Sequence, residues 1–197
     1  MQMTASDTEA RLAAELWLDR LDDADALKVM LANQAGAAEA VAASLAQIGA
    51  AAGAMTARLA ADGQARIIYA GAGTSIRIAV QDGVELGPTF DWPADRLAYL
   101  VAGGDGALIT AVENAEDDGA AAMQAVAALG LSPSDILIAL SASGRTGFTC
   151  AAARAARQDG ALTIGIANNH GSELLEAAEI AIPLVTGPEA VAGSTRL

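Results

Sequence analysis

A chain of 197 residues, 53% of them hydrophobic but only 3% aromatic, holds enough apolar material for one domain whose core closes through small side chains. Its formal net charge of −13, from 11 basic and 24 acidic residues, argues against nucleic acid and anionic membranes as partners and leaves any anion to local donors. No apolar run spans a bilayer, no signal-peptide pattern opens the chain, and the lone Cys150 neither pairs internally nor anchors a metal, so a reduced cytoplasmic setting is expected.

In chain order, Ser6, Asp7, Thr8 and Glu9 have capping-box form and predict a helix with Leu12, Leu16, Trp17 and Leu21 on one side. A short helix is expected from Ala24 to Ala32. A long alanine-rich helix is expected from Ala37 to Ala61, with Val41, Leu45, Ile48, Ala52, Met55 and Leu59 forming an apolar stripe for the sheet or a partner subunit. After Asp62 and Gly63, short apolar runs alternate with helix-length stretches: Arg66–Ala70, Leu97–Ala102, Ile136–Leu140, Leu162–Ala167 and Ile180–Leu184. Nearly continuous apolar runs spaced by helices are buried parallel strands of a doubly wound α/β sheet. The expected organisation is one structural unit in which an N-terminal helical segment, 1–62, packs on the sheet or on a partner and 63–197 forms the α/β domain, with ligands at the carboxyl ends of the strands where the strand order reverses.

Two of those strand ends carry chemistry. The first enters Gly71-Ala-Gly-Thr-Ser75 and then a helix, a glycine turn whose free amides suit an anion. It lacks the third glycine of a dinucleotide fingerprint, and Ala102-Gly-Gly104 ends the second strand without an acidic residue for a ribose, which argues against a nucleotide cofactor. The third strand enters Ser141-Ala-Ser-Gly-Arg-Thr146, where hydroxyls sit beside helix-start amides, a composition fit to cradle a phosphate monoester. A third hydroxyl group of residues, Gly193-Ser-Thr-Arg196, follows the last strand, and Arg77, Arg145 and Arg196 fall within these motifs. His170 stands in a turn-like Asn168-Asn-His-Gly171, and Cys150 reads as a small core residue.

Gly71-Ala-Gly-Thr-Ser75, Ser143-Gly-Arg-Thr146 and Gly187-Pro-Glu189 through Gly193-Ser-Thr-Arg196, in that order, resemble the N-acetylmuramic acid 6-phosphate etherases, a branch of the SIS (sugar isomerase) superfamily. Glu85 before Pro88 and Thr89, Ala102-Gly-Gly104 and Ala111-Val-Glu-Asn-Ala-Glu-Asp117 extend the likeness from about Thr8 to the end of the chain. The resemblance implies a SIS-type sheet of roughly five parallel strands in flavodoxin-like order. It also implies a homodimer acting on a phosphorylated amino sugar without cofactor or metal, and removal of D-lactate with addition of water. It places the catalytic pair at Glu85, the proton donor, and Glu116. Phosphosugar binding falls to Gly73, Thr74, Ser75, Ser141, Ser143, Gly144, Arg145, Thr146, Ser194 and Thr195. Two other functions fit a SIS fold: aldose–ketose isomerisation of a phosphosugar, and silent sensing of one, as in a regulator of glucokinase.

Eliminating an ether β to an aldehyde needs a base for the C–H and an acid for the leaving alkoxide, tasks for two carboxyl groups. Glu85 is expected at a helix C-terminus stopped by Gly87 and Pro88, where the dipole and burial would favour its protonated form. Glu116 lies among Glu113, Asp117 and Asp118, a crowding that acts in the same direction. Ile76 stands where the etherases carry glycine, a bulk expected to crowd the first loop.

Overall fold

The computed structural model describes residues 8, 10, 12–13 and 16–191. The five apolar runs form β1 (Ile67–Gly71), β2 (Leu97–Val101), β3 (Ile136–Leu140), β4 (Leu162–Ala167) and β5 (Ile180–Pro183). All pair in parallel, in the order β2-β1-β3-β4-β5. β3 and β4 have the expected bounds, β2 and β5 each stop one residue earlier, and β1 is shifted by one residue at both ends.

Because successive strand side chains alternate between faces, each strand feeds two cores. Ile68, Ala70, Leu137 and Ala139 meet α5 (Gly119–Leu129), α6 (Gly147–Gln158) and α7 (Glu173–Ala177). Ile67, Tyr69, Ile136 and Ile164 face α2 (Leu45–Ala61) and α3 (Gly73–Val84). Each fully buried Ile or Leu stabilises by about 1.5–3 kcal/mol. Alanine contributes less per residue but lets helices approach closely: Ala152, Ala153 and Ala156 of α6 are wholly buried. At Gly165 a Cβ would stand 2.9 Å from Ala178 Cβ and 3.0 Å from Leu174 O, so only glycine lets α7 seat on β4.

The N-terminal helices differ from expectation. Ser6, Asp7 and Glu9 of the capping box lie outside the described residues. Among the described residues between Leu12 and Leu21 there is no α-helix: Trp17 has extended backbone and donates its Nε1–H to Leu12 O (3.0 Å), and a 3-10 turn, Leu18–Arg20, follows. Helix α1 (Asp23–Ala43) then starts on Asp22, whose carboxylate accepts from Asp25 N, and runs well past the expected stop at Ala32. The long helix expected from Ala37 is broken at Ser44, where α1 and α2 meet at 60°. Ser44 is buried and donates its hydroxyl to Pro183 O (2.5 Å), a tertiary bond at the end of β5 that fixes the corner. The bend divides the apolar stripe. Ile48, Met55 and Leu59 pack on the sheet, whereas Leu27, Leu31, Val41 and Leu45 stay exposed. Among the described residues no single helix is long and apolar enough to cross a membrane.

The amino ends of β1 and β3 are stapled by charge. Asp135, 2% exposed, accepts from Arg66 N (2.9 Å) and Arg66 Nε (3.1 Å) at one oxygen, and from Arg66 Nη2 (2.6 Å) and Ser132 N (2.8 Å) at the other. The guanidinium also donates to Leu129 O and Gly130 O, tying in the end of α5. Burial by itself would raise the Asp135 pKa, but the bonds from Arg66 and Ser132 and the Arg66 charge outweigh it and hold the carboxyl below its ordinary 3.8. Removing one partner of a buried pair strands the other. Asp135→Ala should cost about 3 kcal/mol of unfolding free energy near neutral pH, the low end of that class because Arg66 reaches solvent. Since the folded pKa is depressed, the staple's contribution is fully present above the ordinary carboxylate value and is lost as pH falls through the folded one. Urea titrations of both proteins should show a gap constant above pH about 4 that closes in stronger acid; a gap independent of pH would mean that the charge contributes nothing.

Candidate functional site

The order β2-β1-β3 places the reversal of strand order between β1 and β3, and in that register Gly71 lies opposite Leu140. The loops after these strands therefore emerge side by side. Gly71 sits where a Cβ would be 3.0 Å from Leu140 O and 3.2 Å from Ile76 Cβ, so glycine is needed for α3 to rise directly from the sheet edge. Gly73 begins α3 with a left-handed φ of +53°, and no side chain caps that helix start. Ile76 does not crowd the loop as expected. It is 1% exposed and points down among Ile67, Tyr69 and Ala79.

The second loop is a hydroxyl cluster. Ser141 Oγ lies 2.8 Å from Thr146 Oγ1 and 3.4 Å from Ser143 Oγ, and accepts from Gly144 N at 3.1 Å; Ser143 Oγ accepts from Arg145 N at 3.2 Å. Three hydroxyls thus converge at the start of α6, whose first turn has no side-chain cap. Gly144 turns the loop with a φ of +67°, and a Cβ there would collide with Ser172, whose buried Oγ finds no partner among the described residues. The carbonyl of Gly144 accepts from Leu174 N (2.9 Å), which anchors the loop to α7. Arg145 is exposed.

Sequence reasoning missed the residue that holds this loop in place. Asn169, 3% exposed, donates its Nδ2–H groups to Ala142 O (3.1 Å), Ser143 O (3.3 Å) and Thr8 Oγ1 (3.0 Å), while its Oδ1 accepts from Thr8 N (3.1 Å). Its position in the turn after β4 was the available signal, since β4 is the neighbour of β3. The adjacent His170 is exposed, and Cys150 is fully buried, its thiol pushed up to about 11 by burial and by the Glu173 charge.

The two glutamates lie apart. Glu116 occupies a 3-10 turn, Ala115–Asp117, ahead of α5, which Asp118 caps by accepting from Ala121 N. That turn rests on the start of α6: a Cβ on Gly147 would be 3.1 Å from Asp117 O. Glu116 lines a pocket of about 230 Å³ together with Gly73, Arg77, Ala102 and Glu113. Glu85 is exposed at the opposite end of α3, so the burial expected around it is absent. The helix C-terminus expected at Glu85 is present, since α3 ends at Val84, but Gly87 and Pro88 lie within the short α4 (Leu86–Phe90), Pro88 being tolerated in the first turn because its missing N–H would have had no partner. Twelve residues of α3 at 1.5 Å each put Glu85 roughly 18 Å along the axis from Gly73. Ser194, Thr195 and Arg196 lie outside the described residues. Hollows of about 330 and 460 Å³ beside the segment around Leu12 are lined mainly by apolar residues, with Glu189 on the first and Pro188 on the second, and by no residue of the glycine or hydroxyl loops.

The family model described as the glucokinase regulatory protein N-terminal SIS domain matches residues 50–157, more than half of the chain. An N-acetylmuramic acid 6-phosphate etherase of Deinococcus radiodurans is 52% identical over 132 residues, which cover 67% of this chain and 43% of that protein. Another, of Rubrobacter xylanophilus, is 42% identical over 190 residues, 96% of this chain and 62% of that one. The chain thus spans less than two thirds of the length of these curated relatives. A phosphoheptose isomerase structure from Francisella tularensis superposes with a TM-score of 0.56 at 23% identity, over 80% of this chain and 81% of the other, a likeness of fold. A match over that much of the chain, on a sheet with this strand order, makes the chain a member of the SIS-domain family to which the N-terminal domain of the glucokinase regulatory protein belongs.

Proposed function

We propose that this chain binds a 6-phosphorylated amino sugar and carries out, in the cytoplasm, the chemistry named for its curated relatives: cleavage of the D-lactyl ether of N-acetylmuramic acid 6-phosphate. The observation that carries this reading is the convergence of the Ser141, Ser143 and Thr146 hydroxyls between two uncapped helix starts, with Glu116 lining a pocket at the same sheet edge. A phosphate monoester would replace the bonds these hydroxyls now make to one another and take further donors from Ser75, Gly144 N and the α6 start. Glu116 then removes the C2 proton of the open-chain sugar. The C3–O bond breaks, the departing alkoxide takes a proton from Glu85, and water adds at C3 to give N-acetylglucosamine 6-phosphate and D-lactate.

Glu85 lies too far along α3 to serve the pocket that its own chain's Glu116 lines. The proposed protein is therefore a homodimer in which Glu85 of one subunit completes the site of the other. The exposed Leu27, Leu31, Val41 and Leu45 on α1 and α2 supply apolar surface for such pairing. A silent phosphosugar sensor is the second reading, favoured by the separation of the two carboxylates within one chain.

Light scattering at micromolar concentration should give a dimer mass; a monomer would remove the shared site. Ser143→Ala should weaken N-acetylglucosamine 6-phosphate binding by roughly 1.5–3 kcal/mol in calorimetry, the range for a hydrogen bond to a charged group, and unchanged affinity would make the loop a helix cap only. Glu85→Gln and Glu116→Gln should each slow lactate release by roughly 10²–10⁴-fold. Mixing the two inactive variants should restore about a quarter of wild-type turnover, because half of randomly paired dimers regain one intact site. Full activity in either single variant would refute its assignment, and mixtures that stay inactive would refute sharing between subunits.

A further inference from the structure

Among the described residues Arg77 is the one basic side chain that lines the pocket beside Glu116. It is half-buried on the second turn of α3. Its Nε–H donates to Leu108 O (3.0 Å) and its Nη2 to Ala107 O (3.0 Å), both carbonyls of the 3-10 turn Asp105–Leu108 that follows β2. A guanidinium has five N–H donors. Two are spent on neutral carbonyls, and among the described residues no acceptor meets Nη1. The ion pairs of the described residues are Lys28–Asp25, Arg66–Asp135 and Arg154–Glu173, and none involves Arg77. Its direct partners are therefore neutral carbonyls, which leaves its charge available to an anionic ligand.

The two carbonyls hold one edge of the planar group and fix its orientation. The distal Nη1–Nη2 end keeps the fork geometry that matches the two oxygens of a carboxylate. Glu113 and Glu116 line the same pocket, so an anionic substituent entering it would meet like charge unless Arg77 offset it. The phosphate has its own hydroxyl loop on the other side of β1, so the two anionic ends of one ligand would be received at separate places.

We propose that Arg77 is a specificity-determining residue whose free guanidinium end receives the carboxylate borne by the substrate's ether substituent, so that this pocket selects sugar phosphates carrying a second, carboxylate anion. The inference rests on the etherase reading above. It also accounts for release of a product that has lost the carboxylate: the cleaved sugar no longer engages Arg77.

The test uses calorimetry in a Glu116→Gln background, so that ligand is not consumed, with N-acetylmuramic acid 6-phosphate and N-acetylglucosamine 6-phosphate as the two probes. The parent should bind the carboxylate-bearing sugar at least about tenfold more tightly, as a charge-assisted pair provides. Arg77→Met should weaken that sugar by roughly 10–100-fold while leaving the other within about twofold, and Arg77→Lys, which keeps the charge but loses the fork, should fall between. If both affinities drop together, Arg77 only holds the 105–108 turn and the inference is overturned. It is equally overturned if the preference survives Arg77→Met, or if the parent shows none. In either case binding of both sugars leaves the phosphosugar reading standing, whereas a parent that binds neither sugar overturns that reading itself.

Discussion

Parallel pairing of β1 with β3 is the constraint on which the rest of the molecule depends. It sets Gly71 opposite Leu140, so the glycine loop and the hydroxyl loop leave the sheet as neighbours, each running into a helix whose first amides point back toward the same edge. At the opposite end of the same two strands the Arg66–Asp135 staple fixes the register. A slip of one residue would turn Ile68, Ala70, Leu137 and Ala139 out of their core and separate the loops at the same time. Stability and site geometry are thus set by one strand pair.

Small residues translate that pairing into a usable surface. Alanines on α6 and glycine at Gly165 bring helices close to the sheet, and Gly71, Gly144 and Gly147 allow three loops to pack where a Cβ would hold them apart. The loop that would receive phosphate is held from behind by Asn169 and by Leu174 N, so its hydroxyls are ordered before any ligand arrives. Such preorganisation lowers the ordering cost of binding. In a chain of net charge −13, the proposed anion recognition would rest mostly on hydroxyls and helix amides, with Arg77 lining the same pocket as Glu116.

The sheet was legible from sequence because all five strands are apolar runs bounded by turn residues, a signal that tertiary context cannot easily override. The position of the loops was legible for a related reason: glycine and hydroxyl residues directly after a strand mark a turn into a helix start. What escaped depended on long-range contacts. Ser44 breaks a run of helix formers because its hydroxyl reaches Pro183, which no local pattern foretells. The segment from Leu12 to Leu21 has helical spacing, yet Trp17 bonds to Leu12 in an irregular turn. Asn169 looked like turn composition until β4 placed it behind the hydroxyl loop. Glu85 and Glu116 were paired by resemblance, and only the length of α3 shows that one chain keeps them apart.

The separation of those carboxylates, joined again in the proposed dimer, makes cleavage of the ether the claim to examine first. N-acetylmuramic acid 6-phosphate incubated with the protein in ¹⁸O-water should yield D-lactate and N-acetylglucosamine 6-phosphate in equal amounts. Elimination across C2 and C3 followed by hydration leaves the ether oxygen in the lactate and puts the label on the sugar at C3. Label in the lactate, or tight binding of the sugar with no lactate released, would contradict the account.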